Sequence, residues 1–267
     1  MSFKFRRSNI LIFGFIIIYL SKNHDLLKMY SCILNQSLID IEIIFIDDYS
    51  TDKSRILINK LMLYDKRIVY IKNKVNKGQF HSRNEGVLLS KGKYILILDP
   101  DDFLLNDILI KCYKVANNYN LDITQFYHMM GNYSQNHLYI LNKNSEPIHR
   151  PKTATVFFNN PTRYLWDKLI KKKIFVKSIY FMHEKFRKER FIIHNDETVC
   201  FGLFKTAYSY AQIEEVGYFY NRNISNSTTK KNFLPESLNG RFHSIFATMK
   251  YYYEQSANNT YEKFYGG

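Results

Sequence analysis

Acidic side chains crowd the end of one apolar run of the chain. The run Tyr94–Leu98 is followed at once by Asp99, Asp101 and Asp102, with a proline among them. An unbroken apolar run bounded by turn-forming residues predicts a buried strand. Carboxylates this close resist being ionised together unless they share a cation, and oxygen ligands suit Mg²⁺, Mn²⁺ or Ca²⁺. The sequence therefore predicts a divalent-metal site beyond the carboxyl end of a central strand, where open α/β sheets bind ligands.

A second acidic pair has the same setting, because Asp47 and Asp48 directly follow the β-branched run Ile41–Ile46. The elements that must position both groups of acids alternate in type. The predicted order is strand Ile10–Leu20, helix Asp25–Ser37, strand Ile41–Ile46, a helix capped by Ser50-Thr51-Asp52, strand Arg67–Lys72, turn Asn76–Gly78, helix 80–90 and strand 94–98. This alternation is typical of a parallel sheet with crossover helices, whose strand ends meet at one edge. We therefore expect both acidic groups at one edge of an α/β nucleotide-binding sheet.

The second half of the chain is less regular. Its predicted elements are a helix over 106–119, a strand at Asp122–His128, an irregular stretch with at most a hairpin at Met129–Arg163, a helix at Asn195–Lys205, a strand at Ala211–Tyr220 and a closing helix after Pro235. Asp196 and Glu197 lie in the first turn of the Asn195 helix, where acidic side chains are favourable.

Composition leaves several kinds of partner open. The 267 residues are 46% hydrophobic, enough for a sizeable core, and 38 Lys and Arg against 24 Asp and Glu give a net charge of +14. This excess favours an anionic partner such as nucleic acid, an acidic membrane or a phosphorylated small molecule. The basic residues are spread along the chain and no nucleic-acid module is recognisable, so we expect no nucleic-acid partner. Three scattered cysteines predict neither disulfides nor a zinc site.

The amino-terminal segment has two interpretations. Lys4, Arg6 and Arg7 precede the apolar run Ile10–Leu20, as in a signal peptide or anchor. That run is shorter than the roughly 17–25 residues that span a bilayer, and no small-residue cleavage site follows it. We favour a buried first strand. Membrane association through this basic and apolar terminus is the alternative, so the predicted localisation is cytoplasmic or membrane-associated.

Several motifs occur in an order that is known from one enzyme family. They are Ser37–Ile41 leading into Glu42–Asp52, then Asn76–Gly78, Ser82–Gly86, Lys91–Asp102, Trp166–Leu169, His194–Glu197 and Tyr218–Arg222. With these motifs the chain resembles the family 2 glycosyltransferases of the GT-A fold, from about Ile16 to Thr228. A single acid pair after a strand would be weak support, whereas the ordered set is specific.

The resemblance implies a GT-A glycosyltransferase domain over residues 1–230. Its donor-binding half would cover about 10–128 and its acceptor half about 129–230, with a C-terminal helical tail over 231–267. The implied reaction moves a hexosyl or N-acetylhexosaminyl group from a nucleotide-diphospho-sugar, a UDP-sugar, to a hydroxyl of a carbohydrate or glycoconjugate acceptor, with inversion.

The resemblance also implies a donor site. Asp48, with Asp47 before it, resembles the aspartate that accepts a hydrogen bond from the nucleotide base, since a carboxylate suits the ring N–H of uracil. Asp99 and Asp101 occupy the acidic positions of the Asp-x-Asp motif. Together with Asp102 they would hold Mn²⁺ or Mg²⁺, and the metal would bridge the two phosphates of the donor.

Basic and catalytic residues are implied in the same way. Arg83 and Arg222 match family arginines that lie near the diphosphate. Asp196 aligns with the catalytic base, Glu197 is the neighbouring candidate, and Asn195 replaces the usual Glu. Without the family, an ordinary first-turn acid stabilised by the helix dipole is the simpler interpretation of Asp196.

The chain also departs from the family pattern. Ile18–Ser21 stands where the first strand usually ends in Pro-x-Tyr-Asn, and Tyr49 replaces a glycine, which suits tyrosine only if φ is negative. These departures leave an inactive sugar- or nucleotide-binding relative as the second interpretation, and a nucleic-acid-binding or nucleotidyl-transfer protein as the third. We interpret Trp166 as a packing residue. A nearby set of basic residues is interpreted as a solvated face: Lys168, Lys171, Lys172, Lys173 and Lys177.

Overall fold

The computed structural model describes residues 13–19, 26–105, 107–132, 135–139, 147–149, 156, 163–181 and 195–221. The strands are β1 (Phe13–Tyr19), β2 (Ile41–Asp47), β3 (Ile68–Lys72), β4 (Tyr94–Leu98), β5 (Phe103–Leu104), β6 (Ile123–Asn132), β7 (Gln135–Tyr139), β8 (Ile148–His149), β9 (Lys168–Lys171) and β10 (Ser209–Asn221). The helices are α1 (Leu26–Leu34), α2 (Ser54–Tyr64), α3 (Gln79–Leu89), α4 (Ile108–Asn118), α5 (Lys172–Phe181) and α6 (Asn195–Thr206).

The first four strands form the predicted parallel sheet. Their spatial order is β3-β2-β1-β4, and each is joined to the next along the chain by a helix. The apolar amino-terminal run supplies β1, which lies between β2 and β4, so the strand interpretation is confirmed for residues 13–19. Among the described residues, no helix is long and apolar enough to cross a membrane.

The second half extends the same sheet with mixed strand directions. β9 pairs antiparallel with β4 and with β6, which joins the two halves of the chain. β6 pairs parallel with the long strand β10, and β7 folds back on β6 as a hairpin within the stretch that the sequence leaves irregular. Within the described residues the sheet has ten strands, ordered β3-β2-β1-β4-β9-β6-β10-β5 with β7 and β8 as side branches. The predicted α/β class is confirmed; the first four strands are all parallel, whereas the second half mixes the parallel pair β6–β10 with antiparallel pairs.

Helices cover both faces of this sheet. Alternate residues of the fully buried strands β2 and β4 point to opposite sides. Ile43, Phe45, Leu96 and Leu98 pack with α1 and α4, whereas Ile44, Ile46, Ile95 and Ile97 pack with α3, α5 and α6. Strands buried on both faces are unbroken apolar runs, which explains the pattern seen in the sequence.

A buried carboxylate fixes the turn that leads into β4. Glu42 accepts hydrogen bonds from Ser90 Oγ at 2.5 Å and from the backbone of Gly92 at 2.7 Å. Gly14, on the neighbouring strand β1, leaves room for this contact, because a Cβ there would lie 2.0 Å from Ser90 Oγ. The turn holds β4 in register, so that its carboxyl end reaches the same edge of the sheet as those of β1 and β2.

The interpretation of the Lys168 region as a solvated face is wrong for two of its members. Lys168 is fully buried and Lys171 nearly so. Lys168 Nζ lies 2.6 Å from Asp167 Oδ1, and Lys171 Nζ lies 3.1 Å from Asp122 Oδ1. Both lysines lie on β9 in the middle of the sheet, where a charged side chain is retained only if it is paired. Lys173 and Lys177, on α5, are exposed as predicted.

Some predictions fall outside the described residues. These are the helical tail over 231–267, Arg222, His194 and the side chain of Asn195. The division into a donor half and an acceptor half stays a prediction.

Candidate active site

The carboxyl ends of β1, β2 and β4 bring the predicted acids to one edge of the sheet. In the strand register Tyr19 lies beside Asp47, and Ile17 lies beside Leu98. Asp48 and Asp99 each follow directly and are separated by one intervening strand. Two strand spacings amount to about 10 Å, which is the scale of a nucleoside diphosphate. The edge can therefore contact the base at one end and the phosphates at the other.

Asp48 organises the loop after β3. Its buried carboxylate accepts hydrogen bonds from the backbone N–H groups of Lys77 and Gly78, at 2.8 and 2.7 Å, and from Asn73 Nδ2 at 2.8 Å. Gly78 has a φ of 84°, a conformation that favours glycine and presents both N–H groups to one carboxylate. Among the hydrogen bonds of the described residues, these three donors leave one acceptor position on Oδ2, which suits an N–H group of a ligand.

Asp47 forms hydrogen bonds with neighbouring residues of the protein at the end of β2. Its carboxylate accepts hydrogen bonds from the Ser50 backbone at 2.7 Å and from Tyr70 Oη at 2.5 Å. These contacts fix the turn after β2. Tyr49, which lies between Asp47 and Ser50 in the chain, has a φ of 69° and is 55% exposed. Tyrosine would suit this turn only with a negative φ. Because φ is positive, the backbone is strained at Tyr49.

Asp99 lies among other charged groups. Its Oδ1 atom is buried, and no donor of the described residues forms a hydrogen bond to it. Burial raises the pKa of Asp99 to about 7; Arg83 opposes this shift, and the charges of Asp101 and Asp196 add to it. A carboxyl group with these neighbours gains most when a cation binds, because the cation removes the repulsion that disfavours its ionised form.

Arg83 joins the two halves of the chain at the site. It lies on α3 and is almost fully buried, and its Nη1 atom lies 2.6 Å from Asp196 Oδ1 on α6. The two residues are 113 positions apart in sequence. Arg83 also interacts electrostatically with Asp99. One buried guanidinium therefore interacts with both the predicted metal ligand and the predicted base.

The start of α6 is fixed by contacts with the segment before β9. The Leu165 backbone N–H donates to Asp196 Oδ2 at 3.4 Å, and Arg163 forms an ion pair with Glu197. The side chain of Asp196 is 23% exposed, so an acceptor can reach it. Of the two candidate bases, Asp196 is the one that interacts with both Arg83 and Asp99.

Asp102 is hydrogen-bonded to β10, and its role as a metal ligand stays a prediction. Its fully buried carboxylate accepts hydrogen bonds from Tyr218 Oη at 2.7 Å and from the Asn221 backbone at 2.8 Å. Burial and the charges of Asp101 and Asp99 raise the pKa of Asp102 well above its ordinary value. Asp102 thus anchors the end of β10 next to the site. Tyr218 also links Asp102 to Asp99, since its hydroxyl oxygen accepts a hydrogen bond from the Asp99 backbone N–H at 3.3 Å.

The chemistry of the remaining carboxylates fits a divalent cation. Within the described residues no group of three or more His, Cys, Asp or Glu side chains is arranged as a metal site. Mg²⁺ and similar ions commonly bind through one or two carboxylates together with substrate phosphates. Asp99 and Asp101 fit that pattern, because Asp99 has a buried oxygen and carboxylate neighbours. Asp102 differs, because it is hydrogen-bonded to residues of β10.

A stack of aromatic rings beside the site was not predicted as a unit. Trp166 stacks on Tyr164, Tyr218 and Tyr220, with centroid distances of 4.6, 4.4 and 5.8 Å. Trp166 is 3% exposed, so the packing interpretation of this residue is confirmed. The sequence signal was present in the Trp166–Leu169 and Tyr218–Arg222 motifs, but only the pairing of β4, β9, β6 and β10 brings them together.

The comparison with known families decides the assignment. The sequence model described as "Glycosyl transferase family 2" matches residues 15–209. The chain belongs to glycosyl transferase family 2. Its matched region contains the acids at the ends of β2 and β4, Arg83 and Asp196, so the geometry described above lies inside the family domain.

Curated relatives of this family 2 member share part of the chain. An "Uncharacterized glycosyltransferase" of Haemophilus influenzae is 48% identical over 81 residues, 30% of this chain and 32% of that protein. The "UDP-Glc:alpha-D-GlcNAc-diphosphoundecaprenol beta-1,3-glucosyltransferase WfaP" of Escherichia coli is 46% identical over 70 residues, 26% of this chain and 27% of that protein. The matches thus span about a third or less of these relatives.

Solved structures match over a larger part of the family 2 member. The S. aureus TarS 1-349 structure in complex with UDP-GlcNAc has a TM-score of 0.67 and 12% identity, covering 88% of this chain and 66% of that one. Another TarS 1-349 structure has a TM-score of 0.63 and 15% identity, covering 87% and 72%. At this identity the likeness shows the fold, which is GT-A-like.

Proposed function

We propose that the protein is an inverting, metal-dependent glycosyltransferase that moves a sugar from a UDP-sugar to a hydroxyl of a carbohydrate or glycoconjugate. One observation supports this proposal most strongly. Asp99, Arg83 and Asp196 come from three separate elements and interact at the carboxyl edge of a family 2 sheet. The name of WfaP includes a UDP-glucose donor, and TarS has been solved with UDP-GlcNAc, which supports a uridine nucleotide.

The donor would lie across the edge from Asp48 to Asp99. The free acceptor position on Asp48 Oδ2 suits the ring N–H of uracil. The backbone bonds from Lys77 and Gly78 hold the Asp48 carboxylate in place, so that it is preorganised for this contact. The diphosphate would reach Asp99 and Asp101, whose negative charges require a cation between them and the phosphates.

Mn²⁺ or Mg²⁺ held by Asp99 and Asp101 would supply Lewis-acid stabilisation of the leaving nucleoside diphosphate. The residues of the chain do the rest. Arg83 adds a fixed positive charge beside Asp99 in a buried setting, where its effect is stronger than in water. It also holds Asp196 through the 2.6 Å ion pair, so the base is placed before the acceptor arrives.

Asp196 would act as the base. An acceptor hydroxyl is a poor nucleophile until its proton is being removed. Asp196 takes that proton as the hydroxyl oxygen bonds to the anomeric carbon, and the bond from that carbon to the diphosphate oxygen breaks. A single displacement of this kind inverts the configuration. Glu197 is paired with Arg163 and is the less suitable group.

A thermal-shift screen tests the donor and metal proposals together. The wild-type protein is heated with UDP or GDP, each with Mn²⁺ or with a chelator. We expect UDP with Mn²⁺ to raise Tm by mass action, and UDP without metal to have little effect. Asp101→Asn should lose the Mn²⁺-dependent shift. Glu215→Gln, which changes an acid paired with Lys111 at 2.7 Å, is the matched control and should keep it.

The screen also separates the alternatives. No shift with either nucleotide, with or without metal, would overturn the proposal and favour a relative that has lost donor binding. A shift that is equal in wild type and Asp101→Asn would overturn the metal assignment. An inactive nucleotide-binding protein would give the shift but no release of UDP from any UDP-sugar, so a hydrolysis assay on the same panel distinguishes it from an enzyme.

A further inference from the structure

A single tyrosine hydroxyl connects the two ends of the turn that follows β4. The turn consists of Asp99, Pro100, Asp101 and Asp102, and we call it the acidic turn. It is closed by a hydrogen bond from the Asp102 backbone N–H to Asp99 O at 3.2 Å, and Pro100 suits the second position of such a turn. Tyr218 Oη accepts from the Asp99 backbone N–H at 3.3 Å and donates to Asp102 Oδ2 at 2.7 Å. One hydroxyl group thus contacts the first and the last residue of the acidic turn.

The position of Tyr218 is fixed by the packing of β10. Its side chain is fully buried, and its ring stacks on Trp166 with a centroid distance of 4.4 Å. In the pairing of β10 with β5, Tyr218 lies beside Leu104, so the segment that directly follows the acidic turn is bound to the same strand. The Leu105 backbone N–H adds a hydrogen bond to Gly217 O at 2.9 Å. The hydroxyl group is therefore presented to the turn by a paired and buried strand.

The acidic turn sets the separation of two predicted metal ligands. Asp99 and Asp101 lie two positions apart in it, and the charge of Asp101 adds to the raised pKa of Asp99. Without a cation this repulsion drives the two carboxylates apart, so the turn needs contacts that hold it. Residues that orient metal ligands from outside commonly change metal affinity by about 10–100-fold when they are replaced. Tyr218 bonds to the Asp99 backbone and to the Asp102 carboxylate, so it can affect a bound cation through the turn.

We propose that Tyr218 is a positioning residue that holds the acidic turn in the conformation that binds a divalent cation. This inference rests on the proposed function and extends the metal site to β10. Without the hydroxyl group, the Asp99 N–H and the Asp102 carboxylate each lose a hydrogen-bond partner. The turn then populates the binding conformation for only part of the time, and the apparent affinity for the cation falls by that fraction.

Two matched variants separate this role from the general cost of losing a buried hydroxyl group. Tyr218→Phe removes one oxygen atom and keeps the ring that stacks on Trp166. Tyr210→Phe is the control, because Tyr210 lies on the same strand, is 4% exposed and donates a hydrogen bond to Gln125 Oε1 at 3.0 Å. Both variants lose a buried hydrogen bond, and the bonds lost in Tyr218→Phe are those with the acidic turn.

Electron paramagnetic resonance of Mn²⁺ measures the effect on the cation. Mn²⁺ is titrated into wild type and both variants at one fixed UDP concentration, and the bound ion is obtained from the loss of the free Mn²⁺ signal relative to a protein-free blank. Tyr218→Phe should raise the apparent Kd for Mn²⁺ by about tenfold or more. Tyr210→Phe should keep that Kd within about twofold of wild type, although both variants should unfold at a lower urea concentration than wild type.

Hydrogen exchange in the metal-free protein gives a second result that needs no ligand. The Asp99 N–H donates to Tyr218 Oη, and the Asp102 N–H closes the turn. Both amides should exchange faster in Tyr218→Phe than in wild type and in Tyr210→Phe. If Tyr218→Phe does not fold, the Asp99 amide of the wild type is measured instead. Protection like that of the β4 amides would support the proposal, and the exchange rate of an unprotected amide would overturn it.

The outcomes distinguish a failure of the inference from a failure of the proposed function. The same apparent Kd for Mn²⁺ in Tyr218→Phe and wild type would overturn the inference alone, as would unchanged exchange of the Asp99 amide. An equal loss of Mn²⁺ affinity in Tyr218→Phe and Tyr210→Phe would also overturn it, because the loss would then follow from lower stability in general. A wild-type protein that binds no Mn²⁺ in the presence of UDP would overturn the proposed function, and the inference with it.

Discussion

Replacing Asp99 with Asn should stabilise the metal-free protein, and by an amount that depends on pH. The pKa of Asp99 is raised to about 7 in the folded protein, chiefly by burial. In the unfolded chain it returns to its ordinary value near 3.9. The folded state therefore holds this proton up to a higher pH than the unfolded state does. The contribution of this group to the free energy of unfolding is fully present below the pKa of the unfolded chain. It is lost as the pH rises towards 7, the pKa in the folded protein.

The magnitude follows from the linkage between proton binding and folding. The loss is about 1.4 kcal/mol for each pH unit between the two pKa values, and it levels off above the folded one. Asn cannot titrate, so the difference between variant and wild type contains this contribution as its main pH-dependent part. The gain in unfolding free energy from Asp99→Asn should grow by about 2–3 kcal/mol between pH 5 and pH 8.

Urea unfolding at pH 5, 6, 7 and 8, with a chelator present, measures this difference. Asp65→Asn is the control of opposite sign. The hydrogen bond from Arg67 lowers the pKa of Asp65 to about 2, so both of its pKa values lie below pH 5 and its destabilisation should not vary between pH 5 and 8. An Asp99→Asn gain that is the same at pH 5 and pH 8, or a loss at pH 8, would refute the description of Asp99 as a buried carboxyl repelled by its neighbours.

Two further substitutions test particular parts of the structure. Tyr49→Gly should raise the unfolding free energy by about 1 kcal/mol, because glycine relieves the positive φ and the exposed tyrosine loses little packing; no gain in urea unfolding would show that this turn is not strained. Lys168→Met should lower the unfolding free energy by about 3–5 kcal/mol, because the buried Asp167 loses the ammonium group that balances its charge, and a change below about 1 kcal/mol would show that the pair is hydrated.

The order of the elements in the first half could be predicted from local signals. Unbroken apolar runs mark β1, β2 and β4, and the helical spacing between them requires crossovers, so the meeting of Asp47–Asp48 and Asp99–Asp102 at one edge followed from parallel strands alone. The apolar amino-terminal run was ambiguous only because length and flanking charge do not show pairing. Its position between β2 and β4 confirms a strand for residues 13–19.

What could not be predicted depends on long-range pairing. Nothing local to Lys168 shows that its strand lies in the middle of the sheet, so a Lys-rich stretch was interpreted as a surface. The same holds for Arg83 and Asp196, whose contact spans 113 residues. The difference between Asp99 and Asp102 also depends on β10. Tyr218 and Asn221 of that strand donate hydrogen bonds to Asp102, whereas Asp99 Oδ1 receives none from the described residues and is the candidate for binding a cation.

The central claim is that Asp196 acts on the acceptor while the donor is held elsewhere at the same edge. Turnover of UDP-sugars and binding of UDP with Mn²⁺, measured side by side on wild type and Asp196→Asn, test it most directly. The structure predicts that the variant, which keeps a hydrogen-bond acceptor for Arg83, binds UDP as wild type does but loses turnover by at least about a hundredfold, the scale of a general base. Turnover retained by Asp196→Asn, or a parallel loss of UDP binding, would contradict the account.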